Sequence, residues 1–194
     1  KRAVLGTSVS LSEAEVHWRQ FLESLRARGM LGVSLVISDD HSGLRAAREA
    51  VLPGVPWQRC QFHLQQNAQE YVTKQHLKGK VAADIRVIFN ADNRAHAEER
   101  LKDFVKIYSE TQPKLAAWAE ENLPEGLTIF AFPEAHRKRL RTSNACENVN
   151  NQIKRRTRVV GLFPSEESLL RLVTGVLIEI SETWETGKAY LSLN

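Results

Sequence analysis

The run Val33-Ser34-Leu35-Val36-Ile37-Ser38 is short, apolar and rich in β-branched residues, and it ends on Asp39. A strand with so little polar alternation has to be covered on both faces, which is the condition of a parallel sheet flanked by helices. The surrounding pattern agrees. Ser12-x-x-Glu15 has the form of a capping box, followed by Ala14, Trp18, Phe21, Leu22 and Leu25 at helical spacing, with Gly29 placed to end the helix. After Gly43, Leu44 to Val51 reads as a second helix, broken by Pro53, Gly54 and Pro56. Trp57 to His63 then reads as another strand, and Ala3 to Val9 as a further one. The order helix, strand, helix, strand predicts an α/β core.

From Leu64 onward the pattern changes. Val81, Ile85, Ile88 and Phe89 mark one helix, Leu101, Phe104, Val105 and Tyr108 a second, and Leu115, Trp118 and Ala119 a third. No strand signal interrupts them, so 64–126 is expected to be an all-helical insertion between core segments 1–63 and 127–194. Pro124 and Gly126 close the insertion, and Leu127 to Phe132 reads as extended. The last part returns to helix, with Leu169, Leu172, Val173, Val176, Leu177 and Ile180 forming a wide stripe after a Pro164-Ser165 start.

Bulk composition excludes little. A chain of 194 residues with 42% hydrophobic and 26% charged residues suits one sizeable core. No apolar run approaches the roughly 18 residues of a membrane helix, and no signal peptide is read at the N-terminus. Two cysteines argue against a disulfide framework, and a cytoplasmic location is expected. The net charge of +4 is unevenly spread. Arg137, Lys138, Arg139, Arg141, Lys154, Arg155, Arg156 and Arg158 face only Glu134 and Glu147 between Pro133 and Arg158. Such local positive charge is suited to phosphates, although many charge runs are simply solvated helix faces.

Asp39 and Glu147 are the residues that could carry chemistry. An acidic residue at the C-terminal end of a buried strand occupies the position where α/β folds place active sites. Glu147, Asn150, Asn151 and Lys154 share one face of a helix, and Cys146, Val149 and Ile153 the opposite one, which would pack on the sheet. Carboxylates able to hold a divalent metal within a basic surface point to phosphodiester chemistry on nucleic acid. Each has a structural alternative. Asn144-x-x-Glu147 also fits a capping box, which is compatible with a metal-facing carboxylate. Asp39 could cap or turn the chain, and Asp40 competes with it, although strand alternation turns the two apart. Cys60-x-x-His63 is half of a zinc pattern without a second half, so a buried cysteine at a strand end beside a hydrogen-bonded His63 is the favoured reading.

These segments resemble the mutator-type transposases of bacterial insertion sequences. Ile37-Ser38-Asp39-Asp40-His41-Ser42-Gly43-Leu44 looks like the family's Ser-Asp-x-x-x-Gly-Leu strand end. Gln58-Arg59-Cys60-Gln61-Phe62-His63 is similar to its Cys-x-x-His segment. Arg141-Thr142-Ser143-Asn144-Ala145-Cys146-Glu147-Asn148-Val149-Asn150, running on to Arg158, is the most specific piece. The resemblance covers essentially the whole chain, in order and spacing.

The resemblance implies a ribonuclease-H-like fold of the DDE transposase type, with a helical insertion before the last acidic residue. It implies three acidic residues holding two magnesium or manganese ions, of which Asp39 is the second and Glu147 the third. The first would lie upstream of Lys1, so the chain is expected to be the C-terminal part of a longer transposase and inactive alone. It also implies double-stranded DNA, both element ends and target, as partner, with Arg137 to Arg141, Asn150, Lys154, Arg155, Arg156 and Arg158 gripping it. Cys60, His63 and Asn144 would stand near the site. The full-length protein would act as a homo-oligomer at the bacterial nucleoid, without a membrane. Two alternatives stay open: a ribonuclease-H-like nuclease without strand transfer, and a non-catalytic DNA-binding or oligomerisation module.

Overall fold

The computed structural model of the chain describes residues 2–10 and 12–187. It is α/β and mostly helical, and it divides into two compact units assembled from alternating stretches of chain. One comprises residues 1–33, 40–55 and 144–194, and the other residues 34–39 and 56–143.

The first unit is helical. Here α1 (Glu15–Ala27) and α2 (Ser42–Val51) pack together, and α8 (Asn144–Val160) and α9 (Glu166–Thr186) form a second pair. Leu25, Ala47 and Val51 are buried in the first pair, and Val173, Val176, Leu177 and Ile180 on α9, the stripe expected from its spacing. The start of α9 also matches its sequence: the Ser165 hydroxyl accepts a hydrogen bond from Ser168 N at 3.2 Å. The expected capping box of α1 does not form. The helix starts at Glu15 behind Ala14, with no side-chain cap, and Glu15 pairs instead with Arg19 one turn on. Gly29 ends α1 as expected, at φ 96°, with Met30 N bonded to Leu25 O. Residues 2–10, read above as containing a strand, run without strand pairing among the described residues. Their exposure still alternates, Val4 and Gly6 inward and Leu5 outward, and the Leu5 carbonyl accepts from Arg28 Nη2 at 2.7 Å. The period-2 pattern was real, but a side-chain donor takes the place of a ladder partner.

Gly43 explains how closely α2 begins against α1. A Cβ on Gly43 would stand 2.5 Å from the Glu13 carbonyl oxygen and 2.9 Å from Glu15 N, both backbone atoms.

The second unit holds the only sheet among the described residues, β1 (Val36–Ser38) parallel to β2 (Trp57–Arg59), in register Val36 to Trp57 and Ser38 to Arg59. After it come α3 (Gln61–Ala68), α4 (Lys78–Phe89), α5 (Arg94–Tyr108), α6 (Pro113–Asn122) and α7 (Glu134–Leu140). Leu64, Val81, Ile85, Ile88, Phe104 and Leu115 are among the residues of one hydrophobic cluster that unites α3, α4, α5 and α6. The helical character expected for 64–126 is thus present, but helix begins earlier. Trp57–His63 is not one strand: β2 ends at Arg59, and α3 starts two residues on. Gln61, Leu64 and Ala68 are buried at helical spacing, which outweighs the alternation of Cys60, Phe62 and Leu64.

Leu127 to Phe132 is likewise not extended; Thr128–Ala131 is a 3-10 turn. Its N–H groups bond locally, Leu127 N to Pro124 O, Phe130 N to Leu127 O and Phe132 N to Ile129 O, and buried amides fix the corner beside it. Gln58 Nε2 donates to the Gly126 and Arg59 carbonyls at 2.9 and 2.7 Å, and Gln58 Oε1 accepts from Ile129 N at 2.9 Å. Gln61 Nε2 donates to the same Gly126 carbonyl at 2.8 Å. These side chains satisfy backbone groups that a strand would satisfy by pairing. Arg59, almost fully buried, reaches Glu125 and Asn122, each at 2.9 Å, and closes the same corner.

Two stability changes follow. Gly43→Ala should destabilise the chain by about 2 kcal/mol, because backbone, not a flexible side chain, must move. Glu125→Ala should cost about 3 kcal/mol by removing a carboxylate paired with the buried Arg59 guanidinium. Both are read from urea unfolding midpoints of the 194-residue chain.

Candidate functional site

In the second unit the two strands end side by side. The backbone N–H of Cys60 donates to the Ser38 carbonyl at 2.8 Å, extending the ladder one step past the paired residues. Cys60 then turns the chain as the N-cap of α3, at φ −57° and ψ 115°. Its thiol is fully buried, and its Sγ accepts from Ser143 N at 3.4 Å. One helical turn later, His63 comes back over the strand ends, and its Nδ1 lies 2.9 Å from Asp39 Oδ1. The Cys-x-x-His spacing therefore has a local explanation. Cys60 is pinned beside Ser38, and the third residue on faces the residue after Ser38. Had 57–63 been a strand, Cys60 and His63 would have pointed to opposite faces.

Asp39 and Asp40 have different partners. Asp40 belongs to the first unit, where its carboxylate pairs with Arg45 Nη2 of α2 at 2.8 Å. Asp39 stays with the strand end, and its side chain remains 59% exposed. One carboxylate is matched by a guanidinium, and the other by an imidazole.

Glu147 lies in the first turn of α8, in the first unit, and is half-buried. A carboxylate there is favoured by the helix dipole. Asn144, expected to cap, is instead the first residue of the helix. Asn150, Asn151 and Lys154 continue the Glu147 face and are all exposed. The opposite face was expected to lie on the sheet. Its neighbours are helices and the irregular segment 2–7: Cys146, Val149 and Ile153 line an apolar cleft with Val4 and Leu5, Phe21 and Leu25 of α1 and Leu177 of α9.

The basic residues divide into two classes. Arg141 is half-buried and spends its donors on Gln61 Oε1 at 2.9 Å, Asn90 Oδ1 at 2.6 Å and the Phe89 carbonyl at 3.3 Å. Burial lowers its pKa. Arg137 donates to the carbonyls of Phe132 and Asp92 and lies over the Phe130 ring. Arg156 forms a two-pronged pair with Glu179 of α9, both contacts at 3.0 Å. These three are committed within their own units. Lys138, Arg139, Lys154, Arg155 and Arg158 are exposed. Sequence reasoning placed all eight in one class. The signal it missed was that Arg137 and Arg141 flank the end of a short helix and reach back across the chain.

Arg141→Ala should therefore lower the unfolding free energy by about 2 kcal/mol, since it strips buried acceptors of their donor. Arg155→Ala, at an exposed position, should change it by less than about 0.5 kcal/mol. Equal effects in thermal denaturation would contradict this division.

A family model described as "Transposase, Mutator family" matches residues 1–187. The chain is 57% identical over its whole length to the transposase for insertion sequence element IS406 of Burkholderia multivorans, and covers 50% of that protein. It is 34% identical to the transposase for IS1081 of Mycobacterium tuberculosis over 99% of this chain and 46% of the relative. It is 30% identical to the transposase for IS256 in transposon Tn4001 of Staphylococcus aureus, over 94% of this chain and 47% of the relative. The chain thus spans about half the length of the relatives it matches. The strand-end aspartate, the Cys-x-x-His turn and the basic Glu147 helix lie within the matched stretch, and the chain belongs to the Mutator family of transposases.

Proposed function

We propose that the chain is the catalytic portion of a DDE-type DNA transposase with a ribonuclease-H-like fold, in which 64–126 is a helical insertion. Asp39 and Glu147 are two of its metal-binding carboxylates. The observation that carries this reading is Asp39 itself, an exposed carboxylate at the end of a parallel strand, with His63 Nδ1 2.9 Å from one oxygen. Its donor chemistry fits magnesium or manganese, since both are hard cations that take carboxylate oxygens. Glu147, at a helix start with Asn150, Asn151 and Lys154 on its face, offers a second carboxylate of the same kind.

The reaction is cleavage of a DNA phosphodiester by water, which breaks the P–O3′ bond and frees a 3′-hydroxyl at the element end. That hydroxyl then attacks a target phosphodiester and displaces its 3′-oxygen. Bound divalent ions supply activation of the attacking oxygen and stabilisation of the leaving one. The chain's own residues hold the components. Asp39 and Glu147 offer oxygen donors, while Lys154, Arg155 and Arg158 continue α8 from Glu147 as exposed cations for the phosphate strand, with Lys138 and Arg139 of α7 adding others. Arg137, Arg141 and Arg156 keep those elements in shape. The partner is double-stranded DNA, and the full-length transposase acts as a homo-oligomer.

Two experiments test this. In a transposase carrying this chain, Asp39→Ala and Glu147→Ala should each abolish magnesium-dependent cleavage and joining of element-end DNA while leaving DNA binding in place. Cleavage without joining in the unsubstituted protein would make it a nuclease, and binding with no divalent-ion dependence a passive module. For the 194-residue chain, each of Arg155→Ala and Arg158→Ala should flatten the slope of log K against log salt by about 0.9 on duplex DNA. Arg156→Ala should change it less, because Glu179 already takes that charge. An unchanged slope in all three returns the α8 cations to a solvated surface.

A further inference from the structure

We propose that the turn between α8 and α9 is an apolar wedge for duplex DNA: Leu162, with Val159, enters a base step while Lys154, Arg155 and Arg158 hold phosphates along α8. This rests on the reading of the α8 cations as a DNA-binding surface. It adds a second kind of contact, made with bases instead of phosphates.

Leu162 and Val159 are the most exposed large hydrophobic side chains among the described residues, at 88% and 87%. Val160 is exposed to 49%. Apolar side chains thus gather in water at one tip, although Val173, Val176, Leu177 and Ile180 of the adjoining α9 are buried in the ordinary way. The tip has a defined shape. Leu162 N donates to the Val160 carbonyl at 2.9 Å, and Gly161 between them has φ 73°. That is a three-residue γ-turn, in which glycine avoids the strain another residue would bear. A Cβ on Gly161 would meet nothing within 4 Å, so the reversal is tight without being crowded.

Charge and size select the occupant. At about 100° per residue, Asn151, Lys154, Arg155, Arg158 and Val159 fall on one side of α8, and all five are exposed. Arg155 and Val159 are neighbours one turn apart, so the cationic face runs into the apolar tip. Glu147, the acidic residue of α8, lies about three turns away. Glu166 and Glu167 open α9 on the other limb, so the tip is basic on its α8 side alone, and a phosphate strand is met from that side. A few side chains are far short of the roughly 20–30 residues a side of a stable protein interface. They are enough for a base step. DNA offers phosphates to the cations and, between stacked bases, an apolar slot. Leucine and other apolar side chains part such steps and kink the duplex by roughly 20–90°.

The test reads unwinding, which a wedge causes wherever on the DNA it enters. A closed circular plasmid is relaxed by a topoisomerase in the presence of the 194-residue chain, stripped of protein, and its linking number is read on a gel. Affinity is measured in parallel by fluorescence anisotropy of a labelled duplex over a range of salt, so that chains are compared at equal occupancy. The parent should shift the linking number. A chain carrying both Val159→Ser and Leu162→Ser should lose that shift and keep the parent's slope of log K against log salt, because no charge is removed. Leu162→Phe should keep the shift. Arg158→Ala should flatten the slope by about 0.9 and keep the shift once occupancy is matched. The tip residues are exposed, so these variants retain the fold. Salt-dependent binding by the parent with no shift, or a parent-like shift in the doubly substituted chain, overturns the wedge while the DNA-binding surface stands. No binding to duplex DNA overturns the surface, and the wedge with it. A parent that sediments as a dimer where the doubly substituted chain is a monomer assigns the tip to a second copy and overturns the wedge.

Discussion

One backbone hydrogen bond, from Cys60 N to the Ser38 carbonyl, organises the second unit. A parallel pair of two three-residue strands is marginal on its own. This bond carries the pairing to the point where the chain must turn into α3. The ends are reinforced from several directions. Trp57 Nε1 donates to Ser38 Oγ at 2.9 Å, and Thr128 Oγ1 donates to the Trp57 carbonyl at 2.6 Å. Gln58 and Gln61 bind the Gly126 carbonyl from below. With the strand ends fixed, Asp39 and His63 come within 2.9 Å, and the helices that follow have a rigid corner from which to grow.

Charge in this chain serves two unlike purposes. Arg59, Arg137 and Arg141 use the fork geometry of the guanidinium to bind carbonyls, amides and a carboxylate within the fold, and Arg156 pairs with Glu179 at the surface. Lys154, Arg155 and Arg158 stay exposed on α8. Composition counts both groups alike. Only position within the fold decides whether a cation can be lent to a phosphate without loosening the protein.

Much of this was legible in the sequence. The apolar run ending on Asp39 gave its strand, shortened to Val36–Ser38, and the stripe on α9 and the helical character of 64–126 follow from spacing alone. What could not be read were the places where side chains replace backbone pairing. The apolar alternation of 127–132 resembles a strand because Leu127 and Ile129 are buried, yet its N–H groups bond locally in a turn and Gln58 takes that of Ile129. The same holds for 57–63, where a buried thiol and a borrowed carbonyl start a helix in the middle of an apparent strand. At Ser12 and Glu15 the capping motif was present but the helix began elsewhere, because Glu15 found Arg19. The His63–Asp39 contact was within reach of the sequence only once α3 was known to begin at Gln61.

The alternation of the two units along the chain has a consequence for biosynthesis. The first unit contains α1 and α2 from the early part of the chain, but also α8 and α9, which emerge only after the whole stretch 56–143 has left the ribosome. At about 5–20 residues per second, α1 and α2 wait for roughly 5–20 s with part of their apolar surface uncovered. The second unit meets no such delay, since nearly all of it is one continuous stretch. The nascent chain should therefore pass through a stage in which the second unit is folded while α1 and α2 still expose apolar surface.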